Sequence, residues 1–222
     1  MRAAVLHGPD DLRVDETAEP EGEVVIRVAA ATACGTDVKM LRHGHRILGA
    51  YPSRFGHETA GVRVDTGERV FVGDSVACGR CRPCRAGRPQ LCRAMTWVLG
   101  GFAELIAAPA AALHAVPDGL DLAGAAMAEP LAARATVVLV GGCPGGTEVA
   151  FPAGPLHYDE LDVRGAFHHS RAEVDRALDL LATGAVDWRA LAGETIGLDD
   201  LATALRRPAS GEARKLVVDP RL

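Results

Sequence analysis

The feature that most constrains the fold is a group of four cysteines within residues 78–92, which read CGRCRPCRAGRPQLC. Cys78, Cys81 and Cys84 recur at every third position, and Cys92 follows after a short excursion. Four thiolates at this spacing can surround one tetrahedral zinc ion, with Zn–S distances of about 2.3 Å. The segment has no apolar periodicity, and its prolines and glycines argue against a helix or a strand. Such a lobe cannot bury a core of its own, so we expect metal binding to hold it folded.

Disulfides and reduced structural thiols are the alternatives for these cysteines. The N-terminus, MRAAVLHGPDDLRV, lacks the continuous apolar stretch of an export signal, which argues against disulfides. A site with four protein ligands has no open position, so zinc in the lobe is expected to be structural. Arginines around the lobe would offset its negative charge. They are Arg80, Arg82, Arg85, Arg88 and Arg93.

Composition excludes some partners and sets a default location. The chain has 222 residues, 48% of them hydrophobic, and a net charge of −5. This length allows one large domain or two small ones, and the acidic balance disfavours nucleic acid as a partner. No aromatic residues are interleaved with the arginines of the lobe, which also argues against a nucleic-acid surface. No apolar run is long enough to span a membrane, so we expect no membrane association and a cytoplasmic protein.

The first 117 residues read as short strands separated by turn residues, apart from an irregular stretch at 31–60. This pattern predicts a mostly antiparallel β-barrel that carries the metal lobe. The predicted strands are 2–6, 12–14, 23–29, 61–64, 69–72, 75–77, 101–107 and 113–116.

The second part of the chain alternates between helical and strand patterns. Asp121 is a good N-cap for a helix over 122–135, which Pro130 interrupts. Continuous apolar runs predict buried strands at 136–140 and 161–167. Ser170 caps an amphipathic helix that stops at Gly184. A short helix at 198–205 and a strand at 215–218 complete the predicted elements.

A second set of metal-binding side chains comes from three distant segments. Cys34 lies in ACGTDVK, His57 in FGHETAG and Glu129 in AEPLA. A thiolate, an imidazole and a carboxylate suit a zinc site that keeps one open position. Spacing alone does not unite them, because each can also be a packing or surface residue.

The order of these motifs resembles that of the zinc-containing medium-chain dehydrogenases, especially the sorbitol-, polyol- and threonine-type branch. CGTD, GHE, the four-cysteine lobe, GGFAE and AEPLA follow one another over residues 1–135, and VVLVGG, LHYDELDVRGAFHH and KLVVDP extend the match. The resemblance implies a mainly β fold with some α, built on a GroES-like barrel. It also implies two zinc ions per chain, one structural and one catalytic, the latter held by Cys34, His57 and Glu129. Glu58 falls where an alternating or second-shell ligand is expected, and Thr36 where a hydroxyl hydrogen-bonds the substrate oxygen.

The chain departs from this family between AEPLA and VVLVGG. The family carries a dinucleotide-binding Rossmann domain there, on the order of 100 residues or more, whereas here Glu129 and Val137 are nearly adjacent. The segment VVLVGGCPGG does not fit G-x-G-x-x-G, since Cys143 replaces the second glycine. We therefore expect no NAD(P), and redox-neutral chemistry by Lewis-acid zinc, such as elimination, epimerisation or aldol-type cleavage. Lys39 occupies the relay-histidine position and is the candidate base, unless it is only a solvated loop residue, as His43 and His45 nearby also can be.

Four hypotheses remain at this point. The first is a zinc-dependent lyase- or isomerase-type enzyme acting on a hydroxylated or carbonyl-bearing small molecule. The second is an alcohol or polyol dehydrogenase with atypical nucleotide binding. The third is a non-catalytic, zinc-stabilised binding protein, and the fourth is a deliberately shortened protein.

The predicted organisation has three parts. Residues 1–135 form the catalytic domain, 136–169 keep the residual strands of the Rossmann domain, and 170–222 complete the catalytic domain. Two strands without the rest of their sheet would have open edges. We therefore expect a homodimer formed through the strand near 161–167.

Overall fold

The computed structural model describes residues 1–129, 146–148, 150–151, 153–154, 168–207 and 215–222. The strands predicted at 136–140 and 161–167 lie outside these residues. So do most of the residual α/β segment at 136–169 and the dimer contact that was expected to form through the strand near 161–167.

The described chain is mainly β with some α, as predicted. Its strands are β1 (Arg2–Gly8), β2 (Asp11–Glu16), β3 (Val24–Ala33), β4 (Ser53–Arg54), β5 (Glu58–Arg63), β6 (Arg69–Val72), β7 (Ser75–Val76), β8 (Thr96–Trp97), β9 (Leu105–Ala108), β10 (Leu113–Ala115), β11 (Ala192–Ile196) and β12 (Lys215–Val218). Its helices are α1 (Gly35–His43), α2 (Arg82–Arg85), α3 (Leu122–Ala126), α4 (Arg171–Ala182), α5 (Trp188–Leu191) and α6 (Leu198–Arg206). Short 3₁₀ turns occur at Arg46–Leu48, Pro89–Leu91 and Ala110–Ala112.

One large sheet organises the described strands. Its order is β10-β6-β5-β3-β12-β11, and β9 also pairs with β3. Neighbouring strands run antiparallel except for β11 and β12, which are parallel. Smaller sheets are formed by β2-β1-β4 and by β7-β8. Because β3 pairs with β5, β9 and β12, it brings the end of the chain back against the N-terminal region.

Apolar side chains from both ends of the chain fill the core. Phe55 and Phe102 pack edge to face with ring centroids 4.9 Å apart, and residues of α1 and α6 cover them. Val174 and Leu178 of α4 pack with Phe71 of β6 in a second cluster. Each fully buried Leu or Phe contributes on the order of 1.5–3 kcal/mol relative to exposure. The described C-terminal residues, 168–207 and 215–222, therefore complete the same core as the β-rich N-terminal region.

Two local predictions were wrong. The stretch 31–60 is not irregular throughout, because α1 begins directly after Cys34 at the end of β3. The cysteine lobe is not free of helix either, since it contains α2 and the 3₁₀ turn at Pro89–Leu91. Proline explains both turns in the lobe: it stands within the first two positions of each, where its missing amide costs no hydrogen bond.

Within the described part of the chain, no helix has the length and apolar character needed to cross a bilayer.

Candidate metal centres

The four cysteines of the lobe converge on one point. Their sulfur atoms all lie within 4.8 Å of one another. Cys81 Sγ is 3.4 Å from Cys84 Sγ and 3.8 Å from Cys92 Sγ. Sulfur atoms bound to one tetrahedral zinc ion would be about 3.8 Å apart, whereas a disulfide requires about 2.05 Å. The cysteines of the described residues form no disulfide, and the arrangement fits a four-thiolate zinc site.

Backbone amides prepare the lobe for negative charge. The N–H of Cys78 donates to Cys92 Sγ at 3.2 Å, and the N–H of Ala94 donates to the same sulfur at 3.3 Å. The amides of Arg93 and Cys84 lower the pKa of the Cys81 thiol to about 6. The five arginines around the lobe are exposed, which is consistent with their expected role as charge compensation.

Cys34 stands where a strand passes into a helix. It follows β3 and forms the N-cap of α1, and its Sγ accepts a hydrogen bond from the N–H of Thr36 at 3.3 Å. The Cys34 N–H in turn donates to Asp37 Oδ2 at 2.8 Å, which closes a capping box. This reciprocal cap fixes the direction of the thiol by local backbone geometry.

His57 brings a second ligand atom to Cys34. Its Nε2 lies 3.3 Å from Cys34 Sγ, and its Nδ1 lies 3.2 Å from Asp37 Oδ1. Burial acts to lower the pKa of His57, but the charge of Asp37 and the contact with Cys34 outweigh it and raise this pKa well above its ordinary value. Asp37 Oδ1 and His57 Nδ1 are both buried without a hydrogen bond of good geometry. A metal ion bound at Nε2 would strengthen the Nδ1–carboxylate contact, as in carboxylate–histidine–zinc arrangements.

Glu58 is a fully buried carboxylate with two partners from other strands. Its side chain accepts from Lys215 Nζ, at the start of β12, and from Thr32 Oγ1, in β3. Thr32 Oγ1 also lies 3.2 Å from the carbonyl oxygen of Ala126. The cation compensates the buried charge, so Glu58 is positioned by the strand pairing of β3 with β5 and β12.

Glu129, three residues after the end of α3, is the remaining predicted ligand. Ligand atoms of His57, Glu58 and Glu129 lie within 4.8 Å of one another, as do those of Cys34, Asp37 and His57. Burial and the neighbouring Glu58 carboxylate raise the pKa of Glu129 to about 8. The structure thus places Cys34, Glu58 and Glu129 around His57, and this donor set suits zinc with an open position.

The remaining predicted residues lie on α1 at different exposures. Thr36 is half-buried two residues after Cys34, whereas Lys39 is exposed. The charge of Lys39 acts on His45, whose pKa is lowered mainly by partial burial and then by Arg46 and Lys39. Thr36 is therefore closer to Cys34 in sequence than Lys39 is, and its side chain is more buried.

Sequence reasoning missed three supporting residues: Asp37, Thr32 and Lys215. Asp37 stands three residues after Cys34, and this capping spacing was a usable signal. Thr32 and Lys215 carried no local signal, because only the pairing of β3 with β5 and β12 brings them to Glu58.

Comparisons with known proteins agree with this geometry. Residues 20–118 match the family described as the alcohol dehydrogenase GroES-like domain. The starvation-sensing protein RspB of Escherichia coli K12 is 30% identical over 211 residues, which cover 85% of this chain and 62% of that protein. Sorbitol dehydrogenase of Bacillus subtilis 168 is 29% identical over 229 residues, covering 82% of this chain and 64% of the enzyme. These matches make the chain similar to the zinc-containing medium-chain dehydrogenases over most of its length.

Two solved structures have the same fold as this chain. A thermostable alcohol dehydrogenase of Pyrobaculum aerophilum, solved with cobalt and zinc, superposes with a TM-score of 0.80 at 22% identity, covering 99% of each chain. A protein of Sinorhizobium meliloti 1021 solved with NADP superposes with a TM-score of 0.84 at 22% identity, also covering 99% of each chain. The GroES-like fold class predicted from the motifs is confirmed.

The comparisons also correct the balance between the predicted functions. Sorbitol dehydrogenase is an oxidoreductase, and the similarity to it favours the dehydrogenase alternative over the lyase- or isomerase-type reaction. The Sinorhizobium protein, solved with NADP, shares the fold at 22% identity, and the expectation that this chain binds no NAD(P) stays a prediction. This chain spans less than two thirds of the length of the two curated relatives named above.

Proposed function

We propose that this protein is a zinc-dependent oxidoreductase of the alcohol and polyol class. The observation that carries the proposal is the position of His57, whose Nε2 lies 3.3 Å from Cys34 Sγ and which also forms a group with Glu58 and Glu129 in which the ligand atoms lie within 4.8 Å of one another. Zinc bound there would polarise an alcohol or carbonyl oxygen as a Lewis acid. A small hydroxylated substrate is proposed from the similarity to sorbitol dehydrogenase.

The chain's own residues divide the remaining work. Asp37 holds the His57 ring so that Nε2 faces Cys34 Sγ, and Lys215 holds the charge of Glu58 beside the ligands. Thr36, half-buried two residues from Cys34, is proposed to hydrogen-bond the substrate oxygen and to pass its proton toward solvent. Lys39 is exposed and would act only from the solvent side.

A redox-neutral reaction is the second candidate, and one observation favours it. Seven residues separate Glu129 from Val137, the point where relatives carry their dinucleotide-binding domain, and no G-x-G-x-x-G fingerprint occurs there. If no nucleotide binds, the same zinc cluster could serve enolisation or elimination of a hydroxylated substrate.

The experiment that separates the candidates is a paired assay on the zinc-loaded protein. Polyols and the corresponding ketoses are incubated with NAD(P)⁺ or NAD(P)H, and both nicotinamide absorbance and substrate NMR spectra are followed. The proposal predicts a stoichiometric change in nicotinamide that disappears in Cys34→Ser and persists in Lys39→Ala. Substrate conversion without any change in nicotinamide would support the redox-neutral candidate. No conversion under either condition, with zinc bound, would contradict both.

A further inference from the structure

A cluster of metal-binding side chains lies apart from the two predicted zinc sites. Asp74 follows β6 in the turn to β7, and His168 and His169 directly precede Ser170, the N-cap of α4. Ligand atoms of these three residues lie within 4.8 Å of one another. The turn and the helix start are held together because β7 pairs with β8, whose Trp97 ring packs 5.4 Å from the His168 ring.

Distances within this cluster match those around a bound ion. Asp74 Oδ1 is 3.4 Å from His168 Nε2 and 3.7 Å from His169 Nε2. Oxygen and nitrogen ligands of a tetrahedral zinc ion, each at about 2.0–2.1 Å from the metal, are about 3.4 Å from one another. Both histidines therefore present Nε2 toward one carboxylate oxygen at the spacing that a shared ion would produce.

Two of these atoms are buried and lack a hydrogen bond. Asp74 is 6% exposed and His169 is 7% exposed, yet neither Asp74 Oδ1 nor His169 Nε2 has a hydrogen-bond partner. An unpaired buried polar atom costs on the order of 1–3 kcal/mol. Two such atoms facing each other point to an ion that would satisfy both at once.

The surroundings suit metal entry. His169 and Ser75 line a pocket of about 210 Å³, whose walls also include Met95 and His114. Ser75 Oγ and His168 Nε2 form a hydrogen bond of 2.8 Å. A metal ion bound at Nε2 would replace this hydrogen bond, and the Ser75 hydroxyl or a water molecule in the pocket could then take a remaining coordination position. On another side, His169 Nε2 is 3.7 Å from Glu129 Oε1, which places the cluster next to the predicted catalytic ligands.

We propose that Asp74, His168 and His169 bind a divalent transition-metal ion, with zinc as the best match to the donor set. This would be an additional site, distinct from the four-cysteine lobe and from the cluster of Cys34, His57 and Glu129. Its ligands contain no thiolate, which separates it chemically from the other two. The proposal does not depend on the proposed oxidoreductase activity.

The test measures how many zinc ions per chain a thiol reagent releases and how many are released only by denaturation. A thiol-specific mercurial reagent frees zinc from thiolate sites, whereas zinc held by the carboxylate and imidazoles stays bound until the protein is denatured. We expect the intact protein to retain one zinc ion per chain after mercurial treatment. Asp74→Asn and His168→Ala should lose this ion, and neither substitution touches Glu129. His114→Gln, in the same pocket wall, is the matched control and should keep it.

Several outcomes would overturn the proposal. One is an intact protein that retains no zinc after mercurial treatment, even when loaded with excess zinc and dialysed. Another is equal retention in Asp74→Asn, His168→Ala and the intact protein. Mercurial-released zinc reports folding of the lobe in each variant, so a misfolded variant is recognised. Cys34→Ser should lose thiolate-held zinc and keep the additional ion, which distinguishes failure of this site from failure of the proposed catalytic site.

Discussion

The cysteine lobe and the Cys34–His57–Glu129 cluster are both suited to zinc, but they are built in opposite ways. All four sulfur atoms of the lobe come from residues 78–92 and are oriented by local turns and backbone amides. The second cluster draws on the end of β3, the start of β5 and the residues after α3, with support from β12. A site encoded locally can fold around its metal, whereas a site assembled from distant strands depends on the sheet that carries it.

The largest expected effect tests this contrast directly. Cys34→Ser should abolish turnover while leaving the thermal midpoint almost unchanged, because the packed core around Phe55 and Phe102 does not depend on the thiol. Cys81→Ser should release the lobe zinc and expose residues 78–92 to proteolysis. Zinc analysis, calorimetry and limited proteolysis of both variants measure these outcomes. Full turnover in Cys34→Ser would refute the catalytic site, and an intact protease-resistant lobe in Cys81→Ser would refute the structural one.

The dependence of the second cluster on the sheet can be tested at Lys215. Lys215→Met leaves the fully buried Glu58 without its cation, and breaking a buried pair costs about 3–5 kcal/mol. Chemical denaturation should show this loss. The double variant Glu58→Gln with Lys215→Met should recover much of it, because no charge is left unpaired. Arg13→Met, which breaks the exposed pair with Asp11, is the control and should change stability by less than about 1 kcal/mol. A double variant no more stable than Lys215→Met would contradict this explanation.

Orientation of the His57 ring is the next smaller effect. Asp37→Asn should weaken zinc binding by about 10–100-fold, as is typical when the outer partner of a ligating histidine is changed. Chelator competition measures the affinity. Asp175→Asn is a matched control, because Asp175 likewise contacts a buried histidine. Its Oδ1 lies 2.6 Å from Nδ1 of His114, which is outside the metal-binding clusters. Equal zinc affinity in the Asp37 variant and the intact protein would show that the capping box alone positions the site.

The smallest expected effect compares the pH behaviour of a histidine outside the clusters. Burial lowers the pKa of His114, although the hydrogen bond to Asp175 opposes it. Because the folded-state pKa lies below the unfolded value, near 6.5, the unfolded chain binds more protons between the two values. The contribution of His114 to the free energy of unfolding is therefore present above about pH 6.5 and is lost as pH falls through the folded-state value. His114→Gln should show a shallower decline of stability on acidification, measured by denaturation at several pH values. An unchanged dependence of stability on pH in His114→Gln would contradict the lowered pKa of His114.

Short-range patterns predicted much of the fold. Strand β6 at Arg69–Val72 and strand β12 at Lys215–Val218 occur where their β-rich runs placed them, and helix α4 follows its Ser170 cap. Helix α1 was missed because Cys34 is not among the usual capping residues, although Asp37 completes its box. Local propensity gives weak signals at such a junction, where a strand of the core runs directly into a helix.

The sequence by itself determined the cysteine lobe, because spacing within one short segment sets which sulfur atoms can meet. It also indicated the family through the order of its motifs. Only the tertiary structure decided which carboxylates and imidazoles share a site. The pairing of β12 with β3 brings Lys215 to Glu58, and the packing of α4 against the sheet brings His168 and His169 to Asp74. Contacts between residues far apart in the chain depend on strand register and helix packing, and neither leaves a pattern in the neighbouring sequence.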